Sequence, residues 1–109
     1  MSAEKMDFRN VTAIIQSGML EKVEKALQAS NVPGISVSKV KGFGEYANFY
    51  KSDWMTTHVR IEVFVSKSQA DQIAKIIMDV AHTGIDGDGI VAVLPVYDVY
   101  HIRNKEKLQ

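Results

Sequence analysis

Between Val59 and Ala81 the chain changes its hydrophobic period. Val59, Ile61, Val63 and Val65 alternate strictly with Arg60, Glu62 and Phe64, the pattern of a strand with one buried face. Ala70, Ile73, Ala74, Ile76, Ile77, Val80 and Ala81 then recur at helical spacing, which makes one side of a helix apolar. Ser68 followed by Asp71 predicts the helix start. The segment His82 to Gly89 (HTGIDGDG) ends the helix in a glycine-rich turn, and Ile90 to Leu94 (IVAVL) is continuously apolar. A run of that kind predicts a strand buried on both faces. The unit is strand, helix, strand.

The first half repeats it. Val11 to Ile15 (VTAII) predicts a strand, and Leu20, Val23, Ala26, Leu27 and Ser30 an amphipathic helix. Ser17 is the expected N-cap, and Asn31-Val32-Pro33-Gly34 the stop. Ile35 to Lys41 predicts a second strand, broken by Gly42-Phe43-Gly44. Residues 45–56 carry four aromatics, Tyr46, Phe49, Tyr50 and Trp54, without a period. They read as an exposed loop, and a contact surface and local packing both account for them. A last short strand is expected near Val99 to Ile102, and residues 1–10, charged and aperiodic, are expected to fray. Two βαβ units in series predict an α+β fold, the ferredoxin-like split βαβ sandwich (βαββαβ), as a single domain over 1–109. Both helices then cover one sheet face, and neighbouring subunits are the expected cover for the other.

With 109 residues, a second domain does not fit and the core is small. Thirteen basic residues balance thirteen acidic ones, without the basic footprint of nucleic-acid binding. The absence of cysteine excludes disulfides and thiolate chemistry. No apolar run reaches membrane-spanning length, and the polar first ten residues do not resemble a signal peptide, so a cytoplasmic protein without direct membrane insertion is expected.

Three features could carry chemistry. In Thr83 to Gly89, glycines at 84, 87 and 89 let backbone N–H groups converge on an anion such as phosphate. A plain helix-to-strand connection with an Asp-Gly turn explains the same residues and is the commoner case. Gly42-Phe43-Gly44 is a weak signal, equally a strand terminator. His58, His82 and His101 fit no metal spacing. No Ser-His-Asp or paired-carboxylate pattern is present, so no catalytic residue is assigned.

Together these segments resemble the PII signal-transduction (nitrogen regulatory protein P-II) family. The resemblance runs through Val11 to Ile15, Val37-Ser38-Lys39-Val40-Lys41-Gly42-Phe43-Gly44, Val59 to Val63, Thr83-Gly84-Ile85-Asp86-Gly87-Asp88-Gly89, and Arg103. It implies a homotrimer with an adenine nucleotide in each cleft between subunits, no enzymatic activity, no required cofactor, and a loop that reaches a partner. On that basis Ile14, Ser36, Gly42 and Gly44 line the adenine and the loop base. Glu62, Phe64 and Thr83 stand at adenosine-side positions, Gly87, Asp88 and Gly89 at the phosphates, and Arg103 at a basic phosphate position. Glu45, Tyr46, Phe49, Tyr50 and Trp54 fall in the partner-binding loop.

The chain departs from that family in its cations. Ile90 replaces the lysine after the glycine turn, and His101 the first of two C-terminal arginines. His58 replaces the lysine before the third strand, and Glu45 and Tyr46 an arginine and a glutamine. Each lost cation removes a charge-assisted hydrogen bond, which favours ADP or AMP over ATP. The short loop is most similar to a subgroup associated with heavy-metal efflux genes, implying a membrane transporter or efflux pump as partner. A metal-responsive regulator using histidines, or a bicarbonate and adenylate sensor of the carboxysome-associated type, are the alternatives.

Overall fold

A computed structural model of the chain describes residues 7–40, 58–85 and 87–108. The elements run β1 (Phe8–Gln16), a 3₁₀ turn (Ser17–Met19), α1 (Leu20–Ala29), β2 (Ser36–Val40), β3 (His58–Ser66), α2 (Lys67–Ala81), β4 (Gly89–Val96), β5 (Tyr100–His101) and β6 (Glu106–Lys107). The first four strands form one sheet in the order β2-β3-β1-β4. Each neighbouring pair in it is antiparallel. This is the expected split βαβ arrangement.

Strand alternation sorts the sheet into two faces. Val11, Ala13 and Ile15 of β1 and Val59, Ile61, Val63 and Val65 of β3 point to the helices and are buried. Val23 and Leu27 of α1 and Ala70, Ile73, Ala74, Ile77 and Ala81 of α2 close on them. The alanines keep α2 close to the strands, while burial of each large aliphatic side chain contributes about 1.5–3 kcal/mol. The opposite face carries Asn10, Thr12, Ile14 and Gln16 of β1 beside Phe64, Glu62, Arg60 and His58 of β3. On it Phe64, Ile90 and Leu94 are 47%, 42% and 44% exposed.

The fold corrects several expectations. Phe8–Asn10 do not fray but open β1, paired with both β3 and β4, and the carbonyl of Asp7 accepts from Lys67 N at 2.8 Å. The polar side chains of Arg9 and Asn10 hid a strand whose backbone is paired on both sides. The strand Ile90 to Leu94 is not buried on both faces: β4 is a sheet edge, and most of its residues are exposed. Ser17 does not cap α1. It begins the 3₁₀ turn, and Met19 stands at the N-cap without a side-chain bond. The second helix begins one residue before Ser68, at Lys67, with Ser66 at its N-cap. Ser66 Oγ instead lies 3.1 Å from Ser68 Oγ and donates to Gln69 Oε1 at 3.2 Å. The strand expected near Val99 to Ile102 is β5, which pairs with β6 in a separate two-stranded hairpin. Gly42, Gly44 and the loop residues Glu45, Tyr46, Phe49, Tyr50 and Trp54 lie outside the described residues.

Candidate functional site: the turn between the second helix and the fourth strand

At the end of α2 the backbone leaves the helix at once: His82 is extended, with φ −69° and ψ 127°. Gly84, Gly87 and Gly89 then take φ values of 86°, 92° and 113°, a region open to glycine at little cost. At Gly89 the requirement is also steric. A Cβ there would overlap the carbonyl oxygen of Ile14 and lie 2.9 Å from its carbonyl carbon. The turn is thereby pressed against the backbone of β1, where Ile15 faces Gly89 and Ile14 faces Ile90 in register.

Asp88 folds back into the turn. Its Oδ2 accepts from the backbone N–H groups of Thr83 at 2.9 Å and Gly84 at 3.0 Å, and its Oδ1 accepts from the Thr83 hydroxyl. Thr83 Oγ1 in turn accepts from Ile85 N at 3.3 Å. His82 Nδ1 stands 3.6 Å from Asp88 Oδ2. Desolvation is the largest single influence on the Asp88 carboxyl and raises its pKa. The hydrogen bonds from the Thr83 side chain and backbone and from Gly84, with the charge of His82, outweigh it and hold the group below the ordinary aspartate range. The amides of Thr83 and Gly84, at the start of the turn read as a candidate anion nest, are thus occupied by the chain's own carboxylate.

The other side of the turn is tied to the strand ends. The Gly87 carbonyl accepts from His58 Nε2 at 2.6 Å and from Gln16 Nε2 at 3.4 Å. His58 is 2% exposed, so the bond is shielded from water. Beside the turn an apolar cavity of about 250 Å³ is lined by Ile15, Ile77, Ala81 and Val91, with His82 and Asp88 contributing polar groups.

The expected site residues fall into separate groups. Thr83, Gly87, Asp88 and Gly89 share the turn, with Ile14 on the adjoining strand end. Glu62 and Phe64 lie further along β3, on the open face. Ser36 faces Glu62 across the β2–β3 pair. There Glu62 Oε2 accepts from Asn10 Nδ2 at 3.4 Å, and Asn10 Oδ1 from Thr12 Oγ1 at 3.1 Å. Arg103 stands in the turn of the β5–β6 hairpin, exposed and without a hydrogen-bond or ion-pair partner among the described residues. Among the described residues no group of three or more His, Cys, Asp or Glu could hold a metal ion, and no helix is long and apolar enough to cross a membrane. Sequence reasoning missed Gln16, which ends β1 on the open face, and the inward turn of Asp88. Only the pairing of Gln16 with His58 in register could have pointed to the former.

A small antiparallel α+β subunit with a glycine turn locked against its central strand is the class defined by this geometry. The chain belongs to the nitrogen regulatory protein P-II family, whose model matches residues 8–106. It is 35% identical over 107 residues to the nitrogen regulatory protein P-II of Azospirillum brasilense, covering 91% of this chain and 95% of that protein. It is 34% identical over 103 residues to nitrogen regulatory protein GlnK of Escherichia coli strain K12, covering 88% and 92%. A P-II homolog of Arabidopsis thaliana is 32% identical over 108 residues, and the match spans 92% of this chain but only 55% of that longer protein. The crystal structure of Arabidopsis thaliana PII bound to citrate superposes with a TM-score of 0.81 at 31% identity, covering 96% of this chain and 89% of that one.

Proposed function

We propose that this chain is a non-enzymatic signalling subunit that binds an adenine nucleotide between copies of itself. The observation that carries the reading is the glycine turn, placed beside Ile14 at the rim of the open sheet face. Glu62 and Phe64 lie on that face away from the turn, and Arg103 sits in a separate hairpin, so one subunit does not collect the expected nucleotide-binding residues. A cleft between neighbours reunites them. The exposed Phe64, Ile90 and Leu94 and the outlying hairpin, whose Ile102 is 93% exposed, support a homotrimer in which these surfaces are covered. A citrate-bound relative is consistent with a family site that receives anions.

The nucleotide is ADP or AMP at least as readily as ATP. Ile90 offers no charge where the family resemblance places a lysine, His101 stands where it places an arginine, and two amides of the turn are held by Asp88. The γ-phosphate therefore gains little on entry. Binding shifts the loop between states and so regulates a partner, for which a cytoplasmic face of a membrane transporter is the proposed class. Calorimetric titration with AMP, ADP and ATP tests the preference: ATP binding tighter than ADP by about tenfold, or 1.4 kcal/mol, refutes it. Ile90→Lys with His101→Arg strengthens ATP selectively. Light scattering is expected to return three chains of 12.1 kDa each; a monomer refutes the shared cleft.

A further inference from the structure

The peptide joining Gly87 to Asp88 is held from two sides. Its carbonyl oxygen accepts from His58 Nε2 and Gln16 Nε2, at 2.6 and 3.4 Å. Both donors come from facing positions at the ends of β3 and β1. The Asp88 side chain is drawn to a different place, the amides of Thr83 and Gly84. In a trans peptide the N–H points opposite to the C=O, and the chain has no cis bond among its described residues. Drawing the Gly87 carbonyl toward the strand ends therefore turns the Asp88 N–H away from them. Two donors on one carbonyl also polarise the peptide and strengthen its N–H as a donor.

We propose that His58 and Gln16 are positioning residues of the turn: by clamping the Gly87 carbonyl they aim the Asp88 N–H at a phosphate of the bound nucleotide. This inference rests on the nucleotide reading above. It differs from a purely structural role in what it changes. Loss of a purely structural tie lowers stability and weakens every ligand alike, whereas loss of the clamp weakens the phosphate part of the ligand and leaves the nucleoside part untouched.

The experiment compares ADP with adenosine, the latter measured by competition, on the full chain. In the unaltered protein the Asp88 amide resonance moves on adding ADP and stays in place with adenosine. Gln16→Ala is expected to weaken ADP on the order of threefold, the effect of one neutral hydrogen bond, with adenosine unchanged. His58→Ala weakens ADP more, and His58→Gln, which keeps an N–H donor, restores part of the loss. Because His58 is buried, its alanine variant is first checked for folding by circular dichroism; if it unfolds, Gln16→Ala and His58→Gln decide the matter. Equal losses for ADP and adenosine overturn the clamp, as does ADP binding that leaves the Asp88 amide unmoved. Failure of the unaltered protein to bind ADP at all defeats the nucleotide reading itself, and the clamp with it.

Discussion

The two βαβ units end their helices in opposite ways. After α1 the chain closes on its own backbone: Asn31 N donates to Gln28 O at 3.1 Å and Val32 N to Leu27 O at 3.4 Å, with Asn31 at φ 63°. These two bonds and the left-handed residue between them are a Schellman cap. After α2 there is no such cap. His82 is extended, and the N–H groups beyond it are satisfied by a carboxylate that arrives from Asp88. The first exit takes its cap hydrogen bonds from its own helix. The second depends on a charged side chain, on three glycines at positive φ, and on the ends of β1 and β3. Similar units thus diverge at the exit whose N–H groups are met by a side chain rather than by the helix's own carbonyls.

The sharpest way to break the comparison is a methyl group in each connection. Gly89→Ala forces a Cβ onto the Ile14 carbonyl at a φ of 113°, and a loss of more than about 3 kcal/mol in urea unfolding is expected. Gly34, in the first connection, has nothing within 4 Å of such a Cβ. Gly34→Ala should leave stability within about 1 kcal/mol of the parent, with a gain the more natural outcome. Next comes Asp88→Ala, which strips the second exit of its acceptor and should cost roughly 2 kcal/mol, given the range for charged hydrogen bonds. Its pH dependence has a definite sign. The Asp88 pKa is lowered in the folded state, so its contribution is present above the unfolded value of about 3.9 and is lost as pH falls through the lower folded value. The parent and Asp88→Ala should therefore converge in acid, read by urea midpoints from pH 7 down to pH 2.

A smaller effect belongs to the first exit. Asn31→Ala keeps both backbone bonds but places alanine in the left-handed region, at about 1 kcal/mol, whereas Asn31→Gly should be neutral or better; thermal midpoints check both. The smallest effect tests whether the helices themselves differ. Each has one exposed pair four residues apart, Glu21–Lys25 at 3.9 Å and Lys75–Asp79 at 3.0 Å. Lys25→Ala and Lys75→Ala should each change stability by about 0.3 kcal/mol. A large difference between them would mean that the contrast lies in the helices and not in their exits.

The sheet was legible in the sequence because Val59 to Val65 alternate and because α2 shows its apolar face plainly. Sheet order and handedness followed from connection rules rather than from any residue. Side-chain pattern failed where the backbone carried the information. Arg9 and Asn10 look like a frayed end, yet their main chain pairs on both sides. The run IVAVL looks fully buried, but an apolar run does not say whether its strand lies inside the sheet or at its edge, and β4 is an edge strand with most of its residues exposed. The helix starts were misplaced by serines that cap nothing. In the turn, the glycines were visible and Asp88 was not, since a carboxylate among glycines reads equally as part of a turn or as a free acid. Its return to Thr83 is a three-dimensional fact. The family resemblance carried the site residues, and the structure divides them between a turn, an open face and a hairpin.

The contact between Gly89 and the Ile14 carbonyl has a consequence for how such a protein can change over generations. Main chain meets main chain there, so the place of the turn is indifferent to which side chain position 14 bears. Substitutions at position 14, at Ser36 or at Phe64 can alter the chemistry of the open face while the glycine turn keeps its seat. On the proposed reading, ligand preference can then drift by single substitutions on the open face, whereas a side chain at Gly89 meets both the Ile14 carbonyl and an unfavourable φ.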